Sequence, residues 1–272
     1  MRAAMVRRSG VVASDIWVKQ LERAPFTNTP ITFGGGNANS VWSPDGRSLL
    51  FTSGSSVRRG FVLRKPADGT GVMDTVLRLA RGLTEVVLTP DSTTFLVRLT
   101  APGSRDIVRA QRGRDTAVPL VASPTCQEFG PALSPDAKWL AYASNESGRY
   151  EVYVRPYPDV NAGRWQVSQA GGLTPVWSRN GRELFYLDGA GMLVSAAVLP
   201  GATFTLGAQA ALFNTSGYAS NAISLYYDVS PDGQRFLMLR PPVTAAISGK
   251  VELVQITNWA AEVRSKLAGT VR

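Results

Sequence analysis

The chain has 272 residues, 44% hydrophobic and 18% charged, with 26 glycines and 17 prolines, a folded and turn-rich composition. It holds no histidine and one cysteine, Cys126, which excludes Ser-His-Asp and Cys-His nucleophile systems and an internal disulfide within these residues. Its 29 Lys/Arg against 20 Asp/Glu give a net charge of +9, and no segment approaches the ~18 consecutive apolar residues of a membrane helix.

Met1–Gly10 carries Arg2, Arg7 and Arg8 without an apolar core after them and does not read as a signal peptide. Ala4–Arg8, Asp15–Leu21 and Pro30–Phe33 read as the later strands of an incomplete unit. The chain thus starts part-way through a unit, either as a fragment of a longer protein or because these strands help to close the fold. Gly34-Gly35-Gly36-Asn37 follows. A Gly-rich loop can cradle phosphate, but neither Gly-Lys-Ser/Thr nor a helix comes next, so it reads as a connection.

Val41–Ser53 then reads as strand, tight turn, strand. Pro44 sets φ near −65°, Asp45 accepts from nearby backbone N–H groups, and Gly46 supplies a positive φ. Copies begin at Thr89, Ser134, Ser178 and Ser230. From Ser43 the intervals are 46, 45, 44 and 52 residues, which suits a four-stranded propeller blade of roughly 40–50 residues. The turns at Asp91-Ser92 and Arg179-Asn180 depart from the pattern, which predicts a different shape there.

Each unit continues with a third strand: Phe61–Lys65, Asp106–Ala110, Tyr150–Arg155, Met192–Val198 and Val251–Ile256. Fourth strands are assigned to Thr75–Leu79, Ala117–Val121, Trp165–Ser168 and Ala211–Phe213. Tyr150–Arg155 alternates with period two, as a half-exposed strand does. The long last interval places an insertion in Gly201–Ser224, with Gly217–Ser224 as a mobile loop. Trp259, Val263 and Leu267 share one helical face behind Asn258 as N-cap, which predicts a short C-terminal helix. The expected architecture is an all-β propeller of four-stranded antiparallel blades, six-bladed with one incomplete or composite blade, in a single domain. Its divisions are a partial blade at 1–37, blades at 38–82, 83–128, 129–173, 174–222 and 223–257, and the helix at 258–272.

Trp42 and Trp177 hold equivalent places before their turns. A ligand-stacking role is weighed against packing between blades, and packing is favoured. Asp159–Gly163 begins like a calcium loop, but Ala170 stands where the closing acidic ligand belongs, so a plain turn is expected. Glu183 and Asp188 share one strand and do not make an acid/base pair. Residues 1–130 carry 17 Lys/Arg and 10 Asp/Glu, net +7, against 12 and 10, net +2, in 131–272. Arg58-Arg59 and Arg64-Lys65 contribute to the basic half, which reads as a solvated surface; binding of nucleic acid or another anionic surface is the minor alternative. No catalytic, cofactor-binding or metal-binding residue is assigned.

Trp42–Arg47 resembles the TolB-type, WD-like propeller repeat. Ala143–Pro158, Trp165–Ser168, Pro175–Tyr186, Tyr227–Leu237 and Asn258-Trp259 resemble the propeller region C-terminal to bacterial Ser/Thr protein kinases, over roughly residues 15–267. The resemblance implies a sensor or interaction domain beyond the membrane, joined in a longer natural chain to a kinase, whose motifs are not in this sequence. It implies a periplasmic or extracytoplasmic location. The expected function is a non-catalytic, monomeric scaffold, without a cofactor, that takes a protein or small-molecule ligand on a propeller face. A hydrolase or lyase with a metal on the axis is the enzymatic alternative.

Overall fold

The computed structural model describes residues 2–8, 14–21, 27–54, 59–100, 105–219, 227–240 and 252–256, without the side chains of 7, 8 and 252–256. These residues form antiparallel sheets joined by turns, and no helix is found among them. The expected C-terminal helix lies outside the described residues, as do residues 220–224 of the expected mobile loop.

The chain divides into two compact units, Met1–Pro131 and Ala132–Arg272. The first opens with a three-stranded sheet, β1 (Arg2–Arg8), β2 (Ser14–Gln20) and β3 (Asn28–Pro30), in that order. Next comes a blade of β4 (Asn37–Trp42), β5 (Ser48–Ser53), β6 (Gly60–Pro66) and β7 (Asp74–Leu79), then one of β8 (Gly82–Leu88), β9 (Thr94–Thr100), β10 (Ile107–Gln111) and β11 (Ala117–Val121). Ile16 and Val18 of the opening sheet, with Ile31 just after it, pack on Leu49 and Phe51. The opposite face of that blade, through Leu50, Val62 and Leu77, packs on Val86, Phe95 and Val97 of the next. Within that blade β5 therefore buries both faces, which is why Leu49-Leu50-Phe51 is an unbroken apolar run.

The boundary between the units falls within β12 (Glu128–Leu133). Its blade continues with β13 (Trp139–Ser144), β14 (Glu151–Pro156) and β15 (Trp165–Gln166). The following blade holds β16 (Leu173–Trp177), β17 (Glu183–Leu187), β18 (Met192–Leu199) and β19 (Thr205–Asn214). The last sheet is β20 (Tyr227–Val229), β21 (Phe236–Arg240) and β22 (Glu252–Ile256). Val152, Val154 and Val167 meet Trp177, Leu184 and Tyr186 in one core cluster. Phe185 and Leu187 meet Tyr227, Phe236 and Met238 in another.

The fold is an all-β propeller of antiparallel blades, four of them complete with four strands. The expectation of six blades is corrected to five. Five sheets carry the repeated turn between their first two strands and count as blades, whereas the opening sheet has neither that turn nor a strand before it among the described residues. Two local expectations also change. Ten residues of the predicted insertion in Gly201–Ser224 are strand, because β19 runs along β18 with two register shifts. The third strand expected to be half-exposed, β14, has Glu151, Val152, Tyr153 and Val154 all buried, since Tyr153 stacks on Tyr142 and both valines enter the core.

The five turns share one geometry. The fourth residue donates its N–H to the first residue's carbonyl at 2.8–2.9 Å, from Gly46, Ser92, Ala137, Gly181 and Gly233. All five have positive φ, including Ser92 (59°) and Ala137 (56°). The third residue's Oδ1 accepts from the first residue's hydroxyl at Asp45, Asp91, Asp136, Asn180 and Asp232. Ser92 and Asn180 therefore do not reshape their turns. Hydrogen bonding outweighs the strain of a side chain at positive φ.

Candidate functional site

A constellation of polar groups in the second unit begins at Glu151, the first residue of β14 and fully buried. Its carboxylate accepts from the Ser168 hydroxyl, from Arg149 Nε at 2.5 Å and from the Gly171 N–H at 3.1 Å. Ser168 Oγ in turn accepts from the Val152 N–H at 2.7 Å. The first unit repeats the device. Asp15 Oδ1 accepts from the Thr32 hydroxyl at 2.8 Å and the Gly35 N–H at 3.2 Å, and Thr32 Oγ1 accepts from the Ile16 N–H at 2.9 Å. The Gly34–Gly36 loop is thus a connection held by Asp15, as its sequence indicated. A buried carboxylate needs this many donors to remain charged at little cost.

Beside the Glu151 cluster lies a pocket of about 340 Å³ whose wall includes Gln169, Tyr186, Asp188, Val194 and Gln209. The Tyr186 hydroxyl donates to Gln209 Oε1 at 2.7 Å, and Gln209 Nε2 donates to the Val167 carbonyl at 2.9 Å. Burial pushes the Tyr186 phenol up to about 12, with the negative charges of Asp188 and Glu151 adding to the shift. Asp188 Oδ1 accepts from the N–H groups of Ala190 (2.9 Å) and Met192 (2.8 Å), holding the turn into β18. Glu183 is used elsewhere, accepting from the Ser195 hydroxyl at 2.8 Å; the two carboxylates read as no acid/base pair are not brought together as one.

The first unit contains a buried ion pair. Arg98, 1% exposed, donates Nε to Glu85 Oε2 at 2.9 Å, and the same oxygen accepts from the Gly130 N–H at 2.9 Å. Burial raises the Glu85 carboxyl, against the opposing pull of Arg98 and the Gly130 hydrogen bond. The guanidinium groups of Arg98 and Arg105 both lie about 5 Å from the Phe129 ring centroid.

Trp177 is buried in the core cluster and donates Nε1 to the Ala132 carbonyl at 3.0 Å. Trp42 packs beside Phe51 and lies under the Arg2 guanidinium. Both tryptophans pack as favoured above. Asp159 forms a turn, its carbonyl accepting from the Ala162 N–H and its Oδ1 from the Asn161 N–H, each at 3.2 Å. Among the described residues no group of three or more Cys, Asp and Glu is placed to hold a metal ion, and no helix is long and apolar enough to cross a membrane. Arg58 lies outside the described residues, whereas Arg59 is exposed. Glu85, Arg98, Glu151, Ser168, Tyr186 and Gln209 carry these arrangements and no motif pointed to them. One signal was available: Asp15–Thr32 and Glu151–Ser168 share a separation of 17 residues, each with a glycine three positions on.

No family model matches the chain, and no curated protein matches it by sequence. Solved structures do match. TolB from Acinetobacter baumannii superposes with a TM-score of 0.69 at 13% identity, over 94% of this chain and 61% of that one. The fold is a TolB-like β-propeller. The chain thus spans less than two thirds of that TolB. An oligogalacturonate lyase in complex with manganese aligns with a TM-score of 0.56 at 13% identity, over 90% of this chain and 82% of the lyase. A chain of a nidogen/laminin complex aligns at 0.61 and 12% identity, over 88% and 86%. At these identities the TolB-like likeness concerns the fold.

Proposed function

We propose that this TolB-like propeller is a binding module, a sensor or interaction domain that takes a small-molecule or protein ligand and performs no chemistry on it. The observation that supports this reading is where its carboxylates are spent. Asp45, Asp91, Asp136 and Asp232 hold turns, Asp15 and Glu151 hold backbone N–H and hydroxyl donors, and Glu85 holds Arg98 and Gly130. In a propeller enzyme several such groups would converge on a substrate or a metal. The pocket at Tyr186 and Asp188 supplies a place for a ligand.

In this reading the propeller lies outside the cytoplasmic membrane and forms the sensing part of a longer chain that includes a kinase domain. The kinase resemblance of Ala143–Pro158 and Pro175–Tyr186 supports that placement. Metal analysis of the purified chain, with turnover assays on lactones and oligogalacturonates, tests the first half of the proposal. Stoichiometric manganese, calcium or zinc together with turnover overturns it. The adjoining coding sequence tests the second half, and a Tol-type envelope operon in place of a kinase overturns that placement.

A further inference from the structure

We infer that the pocket beside β17 and β19 is a site for a primary ammonium group carried on a short aliphatic stem. The inference rests on the binding role proposed above and assigns it a ligand class. The polar groups of the wall are acceptor-rich. Asp188 commits Oδ1 to the N–H groups of Ala190 and Met192, while its other carboxylate oxygen takes no hydrogen bond among the described residues. The Tyr186 hydroxyl spends its one proton on Gln209 Oε1 and keeps lone pairs to offer. Gln209 in turn spends a proton on the Val167 carbonyl. Gln169 is exposed at the rim, with an amide that offers both a donor and an acceptor.

The wall contains no Lys or Arg, although the chain as a whole is strongly basic. Arg149, which donates to the carbonyl of the wall residue Gln169, is committed to that carbonyl and to Glu151. The local field is negative enough that Asp188 and Glu151 both add to the upward displacement of Tyr186. The remaining wall is aliphatic, with Val194 and three alanines. A volume of about 340 Å³ lies at the small end of ligand pockets. One carboxylate, neutral acceptors and an aliphatic wall match an ammonium with three N–H donors on a methylene stem. An anion would face Asp188 without a counter-charge and is disfavoured.

Asp188→Asn separates this role from turn formation, because an asparagine Oδ1 still accepts from Ala190 and Met192 while the charge is gone. The probes are 1,5-diaminopentane, its neutral analogue 1,5-pentanediol and its anionic analogue glutarate, titrated by calorimetry. The diamine is expected to bind, about tenfold or more tighter than the diol and about tenfold or more weaker after Asp188→Asn, with an unchanged thermal midpoint. Glutarate is expected not to bind. Backbone amide shifts on the unmodified protein, expected at residues 169–171, 188 and 209–211, decide the question even if the variant fails to fold. Equal affinity for diol and diamine, undiminished binding to a folded Asp188→Asn, or shifts elsewhere would overturn the site. Loss of the site alone leaves the binding role standing; turnover with a bound metal removes that role whether or not the diamine binds.

Discussion

The Ser168 hydroxyl donates to the buried Glu151 carboxylate across 17 residues of chain, tying the segment just after the fourth strand of a blade back to its third. The same hydroxyl caps the Val152 N–H, so one small side chain satisfies a backbone donor and a buried charge together. Ser168→Ala orphans the Val152 N–H and removes one of the three donors to Glu151, and is expected to lower stability by about 1–3 kcal/mol. Gly172→Ala attacks the same spot from outside, since its Cβ would lie 2.2 Å from Ser168 Oγ and 2.9 Å from Val152 Cγ2. Urea unfolding checks both, and Ser168→Thr is expected to recover part of the loss, because Thr32 does this work in the first unit.

Acid should weaken the turns. Hydrogen bonds from Ser43 and the Arg47 N–H hold the Asp45 carboxyl below its ordinary value, and bonds from Ser230 and Gln234 do so at Asp232. At Asp136 burial pushes the other way, but the Ser134 hydroxyl and the Lys138 N–H prevail. A carboxyl lowered on folding contributes stability above its unfolded value, near 3.9, that disappears as pH falls through the folded one. Asn180 shows that an amide can accept the same two bonds, from Ser178 and the Arg182 N–H, without titrating. The variant Asp45→Asn, Asp136→Asn, Asp232→Asn should therefore unfold at lower pH than the parent in an acid titration followed by circular dichroism. An unchanged midpoint would show that the turns do not govern acid unfolding. Glu85 acts with opposite sign, since its raised carboxyl favours the fold as pH falls toward its unfolded value.

Two of the turns carry strain that can be relieved. Ser92 and Ala137 sit at φ of 59° and 56°, where the equivalent residues of three turns are glycines. Holding an L-residue in that region costs about 1–2 kcal/mol, partly offset by the extra freedom glycine has when unfolded. Ala137→Gly is thus expected to stabilise the chain by about 0.5–1 kcal/mol, read as a raised urea midpoint at constant slope. A loss of stability instead would mean that the Ala137 methyl packs usefully.

The blade plan was legible because a tight turn imposes its chemistry locally: Pro44, Asp45 and Gly46 each serve one backbone need, and the copies inherit the same needs. Strand boundaries followed, and Ala117–Val121 coincides with β11. The blade count and the buried carboxylates were not legible. Glu151 alternates with Tyr150 and Val152 as a surface residue would, and only Ser168, Arg149 and Gly171, brought in from elsewhere, make its burial tolerable. The pocket was hidden for a similar reason. Asp188 reads as the end of a strand, whereas it holds the turn into β18, and Tyr186 and Gln209 meet only when β19 folds back along β18.

The period of the repeat also fixes how adjacent blades are fastened, and this gives the last prediction. Asn39 donates to the Thr84 carbonyl, Gly130 to Glu85, and Trp177 to the Ala132 carbonyl, each across 45 residues, and Tyr227 donates to the Thr174 carbonyl across 53. Every bond joins the first strand of one blade to the first strand of the next, with different chemistry each time. Glu85 is the one charged member, and it also neutralises Arg98, whose Nη2 is buried without a hydrogen-bond partner among the described residues. Glu85→Ala leaves that cation unpaired and the Gly130 N–H orphaned, and should cost about 3–5 kcal/mol. Replacing both partners, as Glu85→Leu with Arg98→Met, removes the buried charges altogether and should cost much less than Glu85→Ala. A double-mutant cycle in urea measures this coupling. If the double variant is as unstable as the sum of its single variants, the pair is not a coupled unit, and the packing of Phe129 with Arg105 must hold that junction instead.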